Sequence, residues 1–253
     1  MKFNDFDQLM RQYEEALDQT LLPNLWPLVR LDGRNFGQLV KANSIQSPFD
    51  TKLHQAMVQT AQRLMNCGFQ GIYAYTESDE ISVLFHKKDR MFQRKIRKWL
   101  SVLAGEASAA FTHALGSPGV LDARICPIPD VETVIDYFRW RQESCQRTAL
   151  QQACYWALIH AGKSAYDATQ ALVGRTYEQK LEILRDHGVL YKSLPPEFRL
   201  GTGLCWQNRD KPGINPKDQQ ARTGKRKILV AVVPLPKGEE YTMFLKEQIN
   251  KNK

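Results

Sequence analysis

The sequence predicts an α+β chain built on one antiparallel βαββαβ sheet. Three observations carry this. Short apolar runs occur at residues 25–31, 71–76, 81–86 and 121–126. Helical periodicity fills the gaps between the first and second runs and between the third and fourth. Only Glu77-Ser78-Asp79-Glu80 separates the second run from the third. So short a link joins neighbouring antiparallel strands, whereas a helix-length link carries the chain across a face of the sheet.

Taken in order, Asn4-Asp5 can cap a helix in which Phe6, Leu9, Met10, Tyr13 and Leu17 recur at steps of three and four, ending before Pro23. Leu25-Trp26-Pro27-Leu28-Val29-Arg30-Leu31 reads as a buried strand closed by Asp32-Gly33-Arg34-Asn35. A helix over 49–66 places Leu53, Ala56, Met57, Thr60, Ala61 and Leu64 on one face, and Gly68 stands where a C-terminal cap belongs. A long helix over 91–115 is broken by Gly116-Ser117-Pro118-Gly119, and the strand over 121–126 stops at Pro127. This is the split βαβ, ferredoxin-like order, in which helices back one face of the sheet.

Helices follow over 131–144, 148–161, 164–172 and 177–187, with closing strands over 198–206 and 228–234. Between those strands, residues 207–227 are polar, basic and interrupted by Gly and Pro, and read as a mobile loop. The chain is thus expected to divide into a catalytic core over 1–130 and a mainly helical extension over 131–253, packed together as one compact unit.

Composition bounds the function. Hydrophobic residues at 43% supply a core that needs no staples. The net charge of +8 attracts polyanions, which brings nucleic acid forward as a partner without deciding it. The five cysteines, Cys67, Cys126, Cys145, Cys154 and Cys205, are odd in number and lack Cys-x-x-Cys spacing, against a disulfide framework or a zinc site. Acids stand where a leader needs apolar residues, and no apolar run nears the ~20 residues of a membrane span. The expectation is a soluble, cytoplasmic protein with no membrane partner.

The acids at strand ends carry the chemistry. Asp32 closes the first strand, and Asp79 and Glu80 sit in the turn that begins the third. In a βαββαβ sheet these two strands are central neighbours, so the carboxylates converge on one edge. Such a cluster is costly without a cation. Mg²⁺ suits it, because it takes hard oxygen ligands and shares phosphate oxygens with a nucleotide. Two ions ~3.5–4 Å apart would clamp both oxygens of a phosphoryl displacement. Each acidic turn alone is ordinary turn chemistry; the joint placement lifts the metal reading.

Gly33 lets the backbone approach a phosphate or turn its carbonyl to a metal, and Arg34, Asn35 and Phe36 offer a fork donor, an amide and an aromatic face. Arg94, Lys95 and Lys98 fall within one turn of the expected long helix. They read either as a solvated face or as a holder of triphosphate or RNA backbone.

Leu31-Asp32-Gly33-Arg34-Asn35-Phe36, then Ser78-Asp79-Glu80, then Trp140-Arg141-Gln142 followed by Cys145, resemble the tRNA-histidine guanylyltransferase family in wording and order. The likeness runs from about Pro27 to beyond Lys180. It implies a polymerase-palm-like fold that extends RNA in the 3′-to-5′ direction. The tRNA 5′-phosphate is activated with GTP, ATP or another nucleoside triphosphate, the 3′-hydroxyl of an incoming nucleotide attacks it, and pyrophosphate is later removed. It also implies that Asp32, the Gly33 carbonyl and Asp79 hold two Mg²⁺ ions, with Glu80 supporting catalysis. Arg34, Asn35, Phe36, Ser78, Arg94, Lys95, Lys98 and Arg124 would lie near the nucleotide, and Trp140, Arg141, Gln142 and Lys180 near the RNA. The implied assembly is a homotetramer.

Departures from the eukaryotic pattern point to a branch. Where those members continue with His-Ile-Asn-Asn, this chain has Gln146-Arg147-Thr148-Ala149, and Gly37 and Ser47 replace a His and a Lys. The changed segments are associated with reading the histidine anticodon and activating the 5′ end. The chain looks more like the bacterial and archaeal members, which repair tRNA 5′ ends by templated addition. Two other readings remain at this stage: a nucleotide or dinucleotide cyclase on the same sheet, and a non-catalytic RNA-binding module.

Overall fold

The computed structural model describes residues 3–214 and 221–252. Six strands form one antiparallel sheet: β1 (Trp26–Gly33), β2 (Gly71–Glu77), β3 (Glu80–Phe85), β4 (Leu121–Ile128), β5 (Thr202–Ile214) and β6 (Ala221–Val232). Their order is β4-β1-β3-β2-β5-β6, which puts β1 beside β3 as the βαββαβ pattern requires. In register, Leu28 faces Leu84 and Asp32 faces Glu80, so the end of β1 meets the start of β3.

Alternation along the strands feeds two cores. Val29, Leu31, Ala74, Ile81 and Val83 point to one face, where α3 (Thr51–Met65) and α4 (Ile96–Leu115) cover them with Met57, Leu64, Trp99, Leu103 and Phe111. Leu28, Tyr75 and Leu84 point to the other, under α5 (Val131–His160) and α9 (Gly238–Asn250), which contribute Val134, Phe138, Tyr241 and Leu245. Each such side chain, fully withdrawn from water, contributes about 2 kcal/mol. The expectation of helices on one face only is therefore corrected. Strands buried on both sides need two covering layers, and α5 and α9 supply the second.

Other expectations change for local reasons. The helices expected over 131–144 and 148–161 are one helix, α5, because Phe138, Arg141, Cys145 and Ala149 form an unbroken buried stripe through the supposed gap. The helix expected from 91 begins at Ile96. Residues 91–94 form a separate 3-10 turn, and Phe92, Gln93 and Arg94 adopt positive φ. The closing strand expected from 198 begins at Thr202, after the short helix α8 (Pro196–Leu200).

Within 207–227, the described residues are not a loop. Residues 207–214 and 221–227 pair strand to strand, and the rest lie outside the described residues. A two-stranded ribbon satisfies its backbone by pairing and needs little apolar content to do so. Three helices went unforeseen: α2 (Phe36–Ala42), α8 and α9. The remaining helices are α1 (Phe3–Glu15), α6 (Ala165–Leu172) and α7 (Tyr177–Asp186), the last two packed on the far half of α5. All five cysteines are free thiols, and no helix among the described residues is long and apolar enough to cross a membrane.

Candidate active site

The edge of the sheet where β1 ends brings Asp32, Gly33 and Asp79 together. The Gly33 N–H donates to the Asp79 carbonyl at 3.0 Å, closing β1 onto the β2–β3 turn. Ser78, at the tip of that turn, takes φ 50°, the left-handed conformation that a tight two-residue link demands. Burial pushes the Asp79 carboxyl above its ordinary range, and the nearby charge of Asp32 pushes in the same direction. A cation between them would relieve both effects.

Glu80 differs from the two aspartates. Arg30 reaches one of its oxygens and Arg141 the other, and Arg30 also lies 3.2 Å from Asp32. Arg141 Nη2 makes a second bond, at 2.7 Å, to the buried carboxylate of Glu77. With one guanidinium serving two acids in a dry setting, burial pushes Glu77 up to about 7, against the opposing pull of Arg141. Glu80 is also raised by burial. Its carboxylate is thus committed to two arginines.

Gly33 is required by Phe36. A Cβ at position 33 would come within 2.3 Å of the Phe36 ring, which is itself held 4.9 Å from Phe111 of α4. Asn35 takes φ 57° ahead of α2, and Arg34 is tied through its N–H to the Val120 carbonyl at 2.8 Å, leaving its side chain exposed. Arg124 on β4 sits 3.6 Å from Asp32. Asp32, Gly33, Arg34, Asn35, Phe36, Ser78, Asp79, Glu80 and Arg124 therefore share one edge.

Beside it opens a cleft of about 620 Å³. Phe36, Ser78 and Asp79 form its near wall, the segment from Val40 to Asp50 its floor, and Thr148, Gln152, Tyr155 and Trp156 of α5 its far wall. That size and mixture of apolar, polar and charged lining, Lys41 and Asp50 included, suit a nucleoside. Of these floor and far-wall residues, sequence reasoning singled out Ser47 and Thr148 and missed the rest, Gln152, Tyr155 and Trp156 among them. They belong to no motif, and only the docking of α5 over the β2–β3 turn brings them in.

Other expected contacts lie elsewhere. Arg94 donates to the carbonyls of Leu21, Leu22, Lys87 and Asp89, beyond the Trp26 end of β1 and so at the end of the sheet away from Asp32. Lys95 pairs with Asp18 at 2.7 Å and is the residue that caps α4; hydrogen bonds from Arg97 and Lys95 hold the Asp18 carboxyl down to about 2. Arg94, Lys95 and Lys98 thus do not share a helical turn, and within one chain they do not meet the acids. Lys98 is exposed at the same end.

Arg141 and Gln142 are buried; Gln142 Nε2 donates to the Pro236 carbonyl at 3.0 Å. Neither can present its donors to RNA, which corrects that expectation. Their neighbour Trp140 is exposed, with the Arg141 guanidinium 4.8 Å from its ring. Lys180 lies on α7, in the helical cluster around Cys154 and Leu184.

Among the described residues, no three Asp, Glu, His or Cys side chains gather as a self-sufficient metal cage. Two carboxylates, a turned backbone and an adjoining nucleoside-sized cleft on a βαββαβ sheet instead define a palm-type nucleotidyltransferase.

Comparison with known proteins gives the family. The tRNAHis guanylyltransferase family profile matches residues 7–129, and the Thg1 C-terminal domain profile matches residues 132–233. The chain belongs to the tRNAHis guanylyltransferase family. The probable tRNA(His) guanylyltransferase of Mus musculus is 32% identical over 79% of this chain and 70% of its own length. The Homo sapiens counterpart is 31% identical over 81% and 72%. Among solved structures, a bacterial tRNA(His) guanylyltransferase (Thg1)-like protein in complex with GTP superposes with a TM-score of 0.71, covering 98% of each chain at 21% identity. The Saccharomyces cerevisiae tRNA(His) guanylyltransferase gives 0.72 at 24% identity, over 77% of this chain and 90% of that one.

Proposed function

We propose that this chain adds nucleotides, guanylate among them, to the 5′ end of tRNA in the 3′-to-5′ direction, each chosen by pairing with the opposite strand of the acceptor stem. The observation that carries the reading is the convergence of Asp32, Gly33 and Asp79 beside the cleft. Two Mg²⁺ ions fit the donor set, two carboxylates and a carbonyl with room for waters and phosphates. Bound there, they would neutralise the charge that develops on the transferring phosphoryl group.

The chain's own groups do the rest. Phe36 walls the base cleft, and Arg34 and Arg124 offer guanidinium groups to phosphate oxygens. Arg30 and Arg141 hold Glu80, which keeps the acidic edge in register.

GTP and ATP are the proposed nucleotides, since solved relatives were captured with each. The Gln146–Ala149 segment lacks the residues associated with anticodon reading, which favours repair of truncated tRNAs over guanylylation of tRNA-histidine alone. The free thiols suit the cytoplasm. A homotetramer is the proposed assembly. In keeping with it, α1 buries none of its residues and leaves Phe3, Phe6 and Tyr13 open to solvent. A solution mass measurement checks this.

The test of function is incubation with Mg²⁺, GTP and either a 5′-truncated tRNA or no RNA. Extension of the tRNA supports the reading; a cyclic product formed without RNA would replace it with a cyclase.

A further inference from the structure

Two separate segments dock on neighbouring turns of α5. Tyr191, in the short 3-10 turn Tyr191–Ser193, donates its hydroxyl to the Gln146 carbonyl at 3.0 Å. The segment between β6 and α9 is tied one turn earlier, where Gln142 donates to the Pro236 carbonyl. Gln142 and Gln146 stand four residues apart and so share one face of the helix. These two bonds bring Lys192 and Arg199, from one segment, beside Lys237, from the other. Partial burial, and then the charges of Arg199 and Lys192, hold the Lys237 ammonium below its ordinary range, in keeping with that proximity.

Among the described residues, none of the three cations forms an ion pair with Glu197, Glu239, Glu240 or any other acid. Arg199 spends its Nε on the Leu194 carbonyl at 2.8 Å, and its guanidinium lies 5.8 Å from the Tyr191 ring. Its two terminal nitrogens make no hydrogen bond among the described residues, and Lys192 and Lys237 are exposed. Like charges gathered without a counter-charge repel, and they attract an anion.

An aromatic ring completes the patch. Tyr177, the first residue of α7, is exposed, with its ring 6.5 Å from that of Tyr191. Tyr191 is thus a buried hub that holds both an open ring and a guanidinium. The patch flanks the acid-bearing end of the sheet. Phe198, next to Arg199 on α8, lines a small cavity with Glu77 and Ser78, and the Leu200 carbonyl accepts from Tyr75 at 3.0 Å.

Cations beside an open ring suit a strand whose bases are unpaired, since phosphates take the charges and a base stacks on the ring. A duplex hides its base faces and leaves such a ring unused. In a tRNA, the unpaired strand next to the reacting 5′ terminus is the 3′ tail. We propose that Tyr177, Lys192, Arg199 and Lys237 hold this 3′ tail while Asp32 and Asp79 work on the 5′ end. The inference rests on the reading of tRNA as substrate.

The test compares extension of a 5′-truncated tRNA with that of the same tRNA lacking its unpaired 3′ nucleotides. The parent should favour the tailed RNA about 10-fold in KM. K192Q/K237Q should raise KM for the tailed RNA about 10-fold, to the tail-less value, and flatten the salt dependence of its binding by about 1.4 in log–log slope, as the loss of two single-strand phosphate contacts requires. Y177A should raise the same KM about 5-fold or more, through the loss of one stacked base. The values of kcat, KM for GTP, KM for the tail-less RNA and the melting temperature should stay as in the parent. K192R/K237R, which keeps both charges, should retain the parent's salt slope. A parent indifferent to the tail, or variants that lose equally on both RNAs or on neither, would overturn the proposal. A parent chain that neither binds nor extends any tRNA would overturn the substrate reading itself, and this surface with it.

Discussion

Asp32 stands directly opposite Glu80 across the β1–β3 ladder, and both carboxylates are reached by Arg30. Two acids facing each other on adjacent strands repel. Arg30 offsets this, and Arg141 takes the other oxygen of Glu80. Asp32 in turn has Arg124 at 3.6 Å, whereas Asp79 has no ion pair among the described residues.

Arg30→Met should therefore destabilise the metal-free protein by about 2 kcal/mol near pH 7.5, because it leaves partly buried charge without its partner. The loss should shrink near pH 5, as Glu80 and Asp79, both raised by burial, take up protons more readily. Urea unfolding at the two pH values checks this. A loss of equal size at both would mean that Arg30 acts by packing and not by charge.

Glu77 predicts a second pH effect. Its folded-state carboxyl titrates at about 7, above the 4.5 of an unperturbed glutamate. A raised carboxyl stabilises the fold fully below the unfolded value and loses that contribution as pH rises through the folded one. Glu77→Gln cannot ionise, so its melting temperature should gain on the parent between pH 6 and pH 8. A gap that stays constant over this window would place the titration of Glu77 elsewhere.

Gly33→Ala should cost about 1–3 kcal/mol, since the added methyl collides with the Phe36 ring. It should also weaken GTP binding, because Phe36 walls the cleft. Adding Phe36→Leu should recover part of the stability. Chemical unfolding and nucleotide titration of both variants measure this; full stability in Gly33→Ala would refute the clash.

Much of this site was legible in the sequence because its acids sit at strand ends, and strand order follows from connection length. The four residues between β2 and β3 forced a tight turn, and the turn forced Asp79 and Glu80 to the β1 edge. The arginines were harder. Arg141 read as an RNA contact, since nothing local shows that its helix lies face down on the sheet, with Glu77 and Glu80 beneath it. Arg94 read as helical, yet its backbone is left-handed and its guanidinium is spent on carbonyls far along the chain. The far wall of the cleft was out of reach for the same reason. Thr148 and Gln152 become neighbours of Asp79 only through tertiary docking. The ribbon beyond Cys205 was misread because polar composition argues against a packed strand, and this one is paired without being packed.

Substrate choice gives a fourth prediction. Gln146–Ala149 replaces the segment associated with anticodon reading, so kcat/KM on 5′-truncated tRNAs should vary little when only the anticodon is changed. Intact tRNA-histidine should be a slower substrate than a truncated tRNA with a matching template base. A strong preference for intact tRNA-histidine, lost when its anticodon alone is altered, would reverse this.

The central claim is that Asp32 and Asp79 together carry the chemistry at the end of β1. Its most direct test is the rate at which Asp79→Ala extends a 5′-truncated tRNA at saturating Mg²⁺ and GTP, with Asp32→Ala measured alongside. Each variant should fall by about 1,000-fold or more, the several kcal/mol of charge stabilisation that a metal ligand supplies. Each should still bind tRNA, and should melt without Mg²⁺ at the parent's temperature or slightly above it. Near-parental turnover in either variant would contradict the account.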